Sequence, residues 1–208
     1  LLSDIYLLLS DPRGDKVYSN ILSYLNVVGT VWNTLQFLTR LDDARQIIED
    51  LPEESLPFKK SMECPFGQFA IKEEAAGKIR VFALVDSITQ SVMKPLHLGL
   101  FKILKQLPND GTFDQDASVT RCTVKAKAAN QAFSFDLSAA TDRLPVSLTG
   151  AIIESLFKIP GLADAWRKVM VERDFSFTHH VKDKFDELKT HSNVFNYAVG
   201  QPMGCLSS

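Results

Sequence analysis

Cysteine is scarce and scattered in this chain: Cys64, Cys122 and Cys205 are its three thiols. None lies in a CxxC spacing or beside a paired histidine, so neither a zinc site nor a disulfide framework is expected, and a reducing compartment is the simplest reading. Long apolar runs are missing too. The longest near the start is Leu7-Leu8-Leu9, with Asp4 just upstream. A bilayer span needs roughly 20 apolar residues, so none is expected. No signal peptide or Arg-rich, acid-poor transit segment opens the chain. Nor is there an excess of charge of one sign: 23 basic and 25 acidic residues give a net charge of −2. That offers no global mark of a nucleic-acid binder, although a basic channel needs only a local cluster. Internal repeats and low-complexity stretches are absent. The first residue is Leu1 rather than Met, and the end at Ser208 is abrupt, which reads as a piece of a longer frame.

What is present can fill a core. The chain has 208 residues and is 45% hydrophobic, enough for one large domain or part of a larger one. Residues 17–50 read as mostly helical, with Val27, Val31, Leu35 and Leu38 on one face, and Pro52 and Pro57 closing the region. Residues 66–71 and 79–85 read as short strands around a polar turn ending at Gly77. Helical spacing returns over 87–107, where Pro95 should interrupt or kink it. Pro108-Asn109-Asp110-Gly111 is a turn. A helix over 118–129 with Ser118 as its N-cap is predicted, then a strand over 132–137. Helices follow over 145–157, where Pro145 suits a first turn, and over 162–170, with Pro160-Gly161 between them. Residues 175–181 and 194–199 read as strands, and 200–204 as a loop. A helix-rich start followed by mixed strands and helices predicts an α+β fold.

Three segments carry possible chemistry. Phe133-Ser134-Phe135-Asp136 is an alternating, aromatic-rich strand pattern ending in a carboxylate, and Asp142 follows after small residues. Two-metal nucleotidyl transfer needs hard oxygen ligands held rigidly, and Asp136 at a strand end supplies one. Asp142 could accept a hydrogen bond from a ribose hydroxyl. A plainer reading fits the same residues: Asp136 caps a turn, and Asp142 favours the N-terminus of the next helix. The second segment sets Lys72, Lys78 and Arg80 around a turn. Lys78 and Arg80 are two apart and share a strand face. Such a group suits a triphosphate, but it also fits a solvated hairpin neutralised by Glu73 and Glu74. The third is Gly200-Gln201-Pro202-Met203-Gly204, with Ser207 and Ser208 beyond it. Its glycines allow close approach of backbone or positive φ, and an ordinary turn fits equally.

The remaining candidates are weaker. His179 and His180 would point to opposite strand faces, which is poor for a shared metal. His97 and His191 have no evident partner. Lys182-Asp183-Lys184 reads as a solvated turn. Trp32 and Trp166 fit helical apolar faces, where core packing outranks base stacking.

Taken together, four segments in order carry a resemblance. Gly77-Lys78-Ile79-Arg80-Val81-Phe82-Ala83-Leu84-Val85-Asp86, with Thr89-Gln90, resembles the basic fingers motif of mitovirus RNA-dependent RNA polymerases. Residues 110–117, Asp-Gly-Thr-Phe-Asp-Gln-Asp-Ala, resemble another segment of that family. Residues 136–145, Asp-Leu-Ser-Ala-Ala-Thr-Asp-Arg-Leu-Pro, are similar to its first palm motif, and residues 200–204 to the start of its second. The resemblance implies part of a right-hand polymerase with fingers, palm and thumb. Residues 1–65 would be a helical N-terminal region, 66–131 fingers-like, and 132–208 an incomplete early palm. Asp136 would bind catalytic magnesium, with manganese as the alternative ion. Asp142 would recognise the ribose, and Lys72, Lys78 and Arg80 would hold the triphosphate. Gly200, Gln201, Pro202 and Gly204 would shape the loop against template and nascent pair. Ser208 would help orient Asp142. Met203 stands where some viral RNA polymerases have Ser, so no hydroxyl contact is expected there. The implied partners are an RNA template, the product strand and nucleoside triphosphates, with no zinc and no membrane span. The implied location is a host mitochondrion.

The family's next motif, Gly-Asp-Asp, occurs nowhere in the chain. The isolated polypeptide is therefore expected to lack polymerase activity. The alternatives are a non-enzymatic viral remnant carried in a host genome, a fragment that only binds RNA, and an unrelated α+β domain.

Overall fold

The computed structural model describes residues 12–32, 43, 46, 50, 66–177 and 194–208. The first described helix, α1, is Pro12–Trp32. Its inward stripe is Val17, Ile21, Tyr24, Leu25 and Val28, a spacing of three and four that keeps one face on the core. Val27 is only partly buried beside that stripe. Leu35 and Leu38, expected to extend the face, lie outside the described residues.

A hairpin follows. Strand β1, Gly67–Glu73, pairs antiparallel with β2, Ile79–Val85, through a single 3-10 turn, Ala75–Gly77. Gly77 takes φ 73°, a conformation a β-carbon disfavours, and this closes the turn. A third strand, β3, Ser176–Phe177, adds to β1 in parallel, giving the order β2-β1-β3. The two faces of the hairpin differ. Phe69 meets Phe175, Phe177 and Phe195 at ring separations of 5.4, 5.5 and 6.0 Å. Lys72 and Arg80 are directly paired in register, so their side chains leave on the other face.

Helix α2, Ser87–Leu104, begins on Asp86, whose side chain accepts from the Thr89 amide at 2.8 Å. Pro95, expected to interrupt or kink this helix, does not interrupt it. Val92, Met93 and Leu96 around it are buried, and that packing outweighs one missing backbone donor. Helix α3, Gln115–Ala129, starts three residues earlier than predicted. Its N-cap is Asp114, which accepts from the Ala117 amide at 2.8 Å, not Ser118. A carboxylate there also meets the positive end of the helix dipole. The turn before it is built by Asp110, which accepts from the Thr112 amide at 2.9 Å and its hydroxyl at 3.0 Å. Phe113 then packs edge-on to Phe101 at 5.4 Å.

Residues 132–137 form no strand, contrary to the alternating pattern. Phe133 and Phe135 are 77% and 89% exposed. A strand is stable only with its backbone donors and acceptors paired, and none of the described strand pairings involves these residues. Beyond it come the short helix α4, Ala140–Arg143, then α5, Val146–Phe157, and α6, Leu162–Val171. Helices α5 and α6 pack closely at Gly150, where an added β-carbon would sit 3.2 Å from the Ala163 carbonyl oxygen. Glu154 of α5 accepts from the Ala163 amide at 2.8 Å and so caps α6. The far end of α6 is tied to α1 by Asn20, which donates to the Lys168 carbonyl at 3.3 Å. Residues 194–199, predicted as a strand, make one isolated bridge, between Phe195 and Phe175. Of the predicted strand 175–181, residues 178–181 lie outside the described residues.

The core draws on α1, α2, α5, α6 and the C-terminal loop: Ile21 and Leu25 from α1, Ile88 and Leu96 from α2, Ile153 from α5, Trp166 and Met170 from α6, and Cys205, while α3 and α4 bury no residue. The molecule is α+β, with a small sheet against a helical core. No helix of the described residues is long and apolar enough to cross a membrane.

Candidate functional site

The loop 199–208 is a buried junction rather than an ordinary surface turn. At one end, the Val146 amide donates to the Val199 carbonyl at 2.8 Å, and the Gln201 amide to the Thr141 carbonyl at 2.9 Å. Gly200 is pressed so tightly on Thr141 and Asp142 that a β-carbon would overlap their backbone. At the other end, the Gly204 amide donates to the Ala83 carbonyl on the free edge of β2 at 2.9 Å. A β-carbon on Gly204 would overlap that same carbonyl. Neither glycine has positive φ. Both are required for close approach, and what they approach is the chain itself.

The loop therefore joins two groups of candidate residues. On one side is the segment carrying Asp136 and Asp142. Both carboxylates are exposed. Asp142 stands on α4, which begins after Ala139 at φ 52°. That left-handed turn costs a non-glycine residue about 1–2 kcal/mol. On the other side is the hairpin. Lys72 and Lys78 are exposed, and Arg80 is half-buried. The Arg80 Nε faces Glu74 Oε1 at 3.0 Å, and its Nη2 lies 3.4 Å from Oε2. The hairpin is thus partly neutralised, by Glu74 on Arg80, while Lys72 and Lys78 extend outward. Within the loop, Gln201 and Pro202 are buried, Gly204 is intermediate and Ser208 is exposed.

Several residues that shape this junction were not marked by the sequence reading. Arg173 is buried and forms an ion pair with Asp86 at 2.7 Å, the side chains being 1% and 8% exposed. It also donates to the Phe66 carbonyl, the Thr89 hydroxyl and the Val169 carbonyl at 3.0, 2.8 and 2.8 Å. Thr89 in turn donates to Asp86 at 2.7 Å. Asp86 and Thr89, quoted only as part of the fingers-like motif, are the side-chain acceptors of this buried guanidinium. A polar residue after an apolar helix, as Arg173 is after α6, was the only available hint.

His97, for which no partner was evident, accepts from the Ser207 amide at 3.3 Å and lies 4.0 Å from the Phe101 ring. Trp166 is core, as expected, and its indole nitrogen donates to the Ser207 hydroxyl at 3.0 Å. Tyr197 is half-buried near the same junction. Burial and, to a lesser degree, the charge of Asp142 push its phenol up to about 12. Burial likewise pushes the Cys205 thiol up to about 12, with Arg173 opposing the shift and Asp86 adding to it. A recess of about 250 Å³ lies apart, at the turn between α2 and α3, lined by Lys105, Phe113, Asp114 and Arg121 among others. His179, His180, His191 and Lys182-Asp183-Lys184 fall outside the described residues, and Trp32's side chain is likewise not described.

Among the described residues, no group of three or more His, Cys, Asp or Glu side chains could hold a metal ion. Asp136 alone does not make a two-magnesium site.

Residues 2–208 match the family described as mitovirus RNA-dependent RNA polymerase. The RNA-directed RNA polymerase of Cryphonectria parasitica mitovirus 1 (strain American chestnut tree/New Jersey/NB631) is 37% identical over 144 residues. That match covers 68% of this chain and 16% of the relative, so the chain spans only a small part of the protein it resembles. No solved structure matches it. The chain belongs to the mitovirus RNA-dependent RNA polymerase family.

Proposed function

We propose that these residues are the fingers and early palm of a right-hand RNA-dependent RNA polymerase that copies a viral genome. The boundaries proposed are a helical N-terminal region to residue 65, fingers over 66–131 and early palm from 132. The observation that carries this reading is the loop 199–208. It fastens the segment of Asp136 and Asp142 to the hairpin of Lys78 and Arg80. A nucleoside triphosphate has a sugar at one end and a chain of phosphates at the other, and such a junction holds partners for both.

In the proposed reaction, an RNA 3′-hydroxyl loses its proton to water as its oxygen bonds to the α-phosphorus of the incoming nucleotide, and pyrophosphate leaves with the electrons of the broken P–O bond. Asp142 accepts a hydrogen bond from the ribose 2′-hydroxyl. Lys72, Lys78 and Arg80 offset the phosphate charge, Arg80 exchanging Glu74 for the ligand. Gly200, Gln201, Pro202 and Gly204 support the nascent pair, and Ser208, the last residue of that loop, helps orient Asp142. The catalytic contribution is positioning and charge stabilisation. Magnesium, or manganese in its place, would belong to this chemistry, and Asp136 is proposed as one of its ligands, the others being the carboxylates of the Gly-Asp-Asp motif that this sequence does not contain. The template and product are RNA, and the setting proposed is the host mitochondrion.

For the 208-residue polypeptide alone, we propose RNA binding without nucleotide addition. The test is a pair of assays on the purified chain. Binding to single-stranded RNA should weaken steeply with salt, and no radiolabelled nucleotide should enter a primed RNA template. Magnesium-dependent incorporation by this chain, abolished by Asp136→Ala, would show that it is active alone.

A further inference from the structure

We propose that Gln90 is a positioning residue for the loop 200–208, an inference that rests on the polymerase reading above. Its side chain holds two backbone groups of that loop at once. Nε2 donates to the Gly204 carbonyl at 2.7 Å, and Oε1 accepts from the Leu206 amide at 2.9 Å. Only a carboxamide presents a donor and an acceptor side by side without charge, so it can treat the loop as a neighbouring strand would. With the Gly204 amide on Ala83, residues 204–206 have three attachments to the β2–α2 unit, and His97 of α2 adds another at Ser207.

The consequence concerns geometry across the site. The loop's other end is fixed on Thr141 and Asp142, by the Gln201 amide and the contact at Gly200. Gln90 therefore sets how the segment bearing Asp142 lies relative to the strand bearing Arg80. Its side-chain hydrogen bonds go to the loop's backbone, so it acts through backbone. The tail beyond it is held separately, by Trp166 and His97 on Ser207. Losing the Gln90 bonds loosens residues 204–206 and leaves the core anchored. A nucleotide gripped from both sides then loses register between sugar and phosphates, and sugar discrimination falls.

The test uses a full-length mitovirus polymerase carrying these residues. Gln90→Met keeps the side-chain length and removes both bonds, and Gln90→Glu keeps the acceptor but sets a carboxylate against the Gly204 carbonyl. The readout is the ratio of kcat/KM for a ribonucleotide to that for its 2′-deoxy analogue, with active sites titrated. Both variants should lower the ratio roughly tenfold, in keeping with the cost of a sub-ångström to ångström misplacement. A purely structural role would reduce the active fraction and leave the ratio unchanged. Asp142→Ala is the reference. If it leaves the ratio unaltered, the polymerase reading falls and this inference with it. If it lowers the ratio while Gln90→Met does not, this inference alone is overturned. Amide hydrogen exchange gives a second readout that needs no turnover. The Leu206 amide should exchange faster in Gln90→Met while the Trp166 amide keeps its protection, and unchanged protection at Leu206 overturns the proposal.

Discussion

Gly200 lies against the backbone of Asp142 with no room for a β-carbon between them. The two residues are 58 apart in sequence, the difference between their numbers, so one methyl group is enough to push two motifs apart. Gly200→Ala should destabilise the chain by about 1–3 kcal/mol, the usual cost of overpacking. Chemical denaturation measures this directly. Gly77→Ala is the contrast, because no atom lies within 4 Å of the added carbon and only its φ of 73° opposes it. Its cost should be about 1 kcal/mol.

The buried pair of Arg173 and Asp86 makes a larger demand. Arg173→Met removes the cation and leaves Asp86 buried with Thr89 alone beside it. Breaking one side of a buried ion pair costs about 3–5 kcal/mol. Because Asp86 also caps α2, the unfolding midpoint in urea should fall sharply. The double variant Arg173→Met with Asp86→Asn should recover part of the loss, since no unpaired charge then remains.

Alkaline pH should weaken the fold earlier than tyrosine ionisation alone would require. Cys205 rises from 9.0 to about 12, and Tyr197 from 10.0 to about 12, both mainly by burial. Tyr24 rises for the same reason, with Cys205 adding to it. Each acid keeps its proton in the folded state after the unfolded chain has lost its own. Folding then binds more protons than unfolding, so stability falls as pH rises through this window. Denaturation midpoints should hold steady to about pH 8.5 and decline from about pH 9 toward 12, these bounds following from the shifted and unshifted values. Cys205→Ala should delay the onset by about one pH unit, leaving the tyrosines to set it. Tyr24→Phe should also stabilise the neutral fold, because its buried hydroxyl has no partner among the described residues.

Much of the architecture could be read from pattern. The hairpin around Gly77, the α2 segment, α5 and α6 all follow from local periodicity and turn residues. The failures share a cause. Residues 132–137 alternate as a strand should, yet alternation only describes faces, and a strand also needs a neighbour to pair with. Pro95 reads as a helix breaker because its cost is local, whereas the packing of Val92 and Leu96 that overrides it is not. Ser118 lost the cap to Asp114 because the helix already begins at Gln115, where the Asp114 carboxylate accepts from the Ala117 amide. For the site, residue types and order pointed to Asp136, Asp142, Lys78 and Arg80. Gln90 and Arg173 were not recognised for what they do, since a side chain bonding to backbone more than 80 residues away leaves no local signature.

The most direct measurement is nucleotide incorporation by a full-length mitovirus polymerase carrying these residues, with and without Asp136→Ala, on an RNA template in magnesium. Asp136 is exposed, so its removal should leave stability unchanged. The account predicts incorporation by the parent enzyme and a loss of about 10³-fold or more in the variant, the scale of losing several kcal/mol of transition-state stabilisation. Full activity in a folded Asp136→Ala enzyme would contradict the assignment of this segment to the catalytic palm.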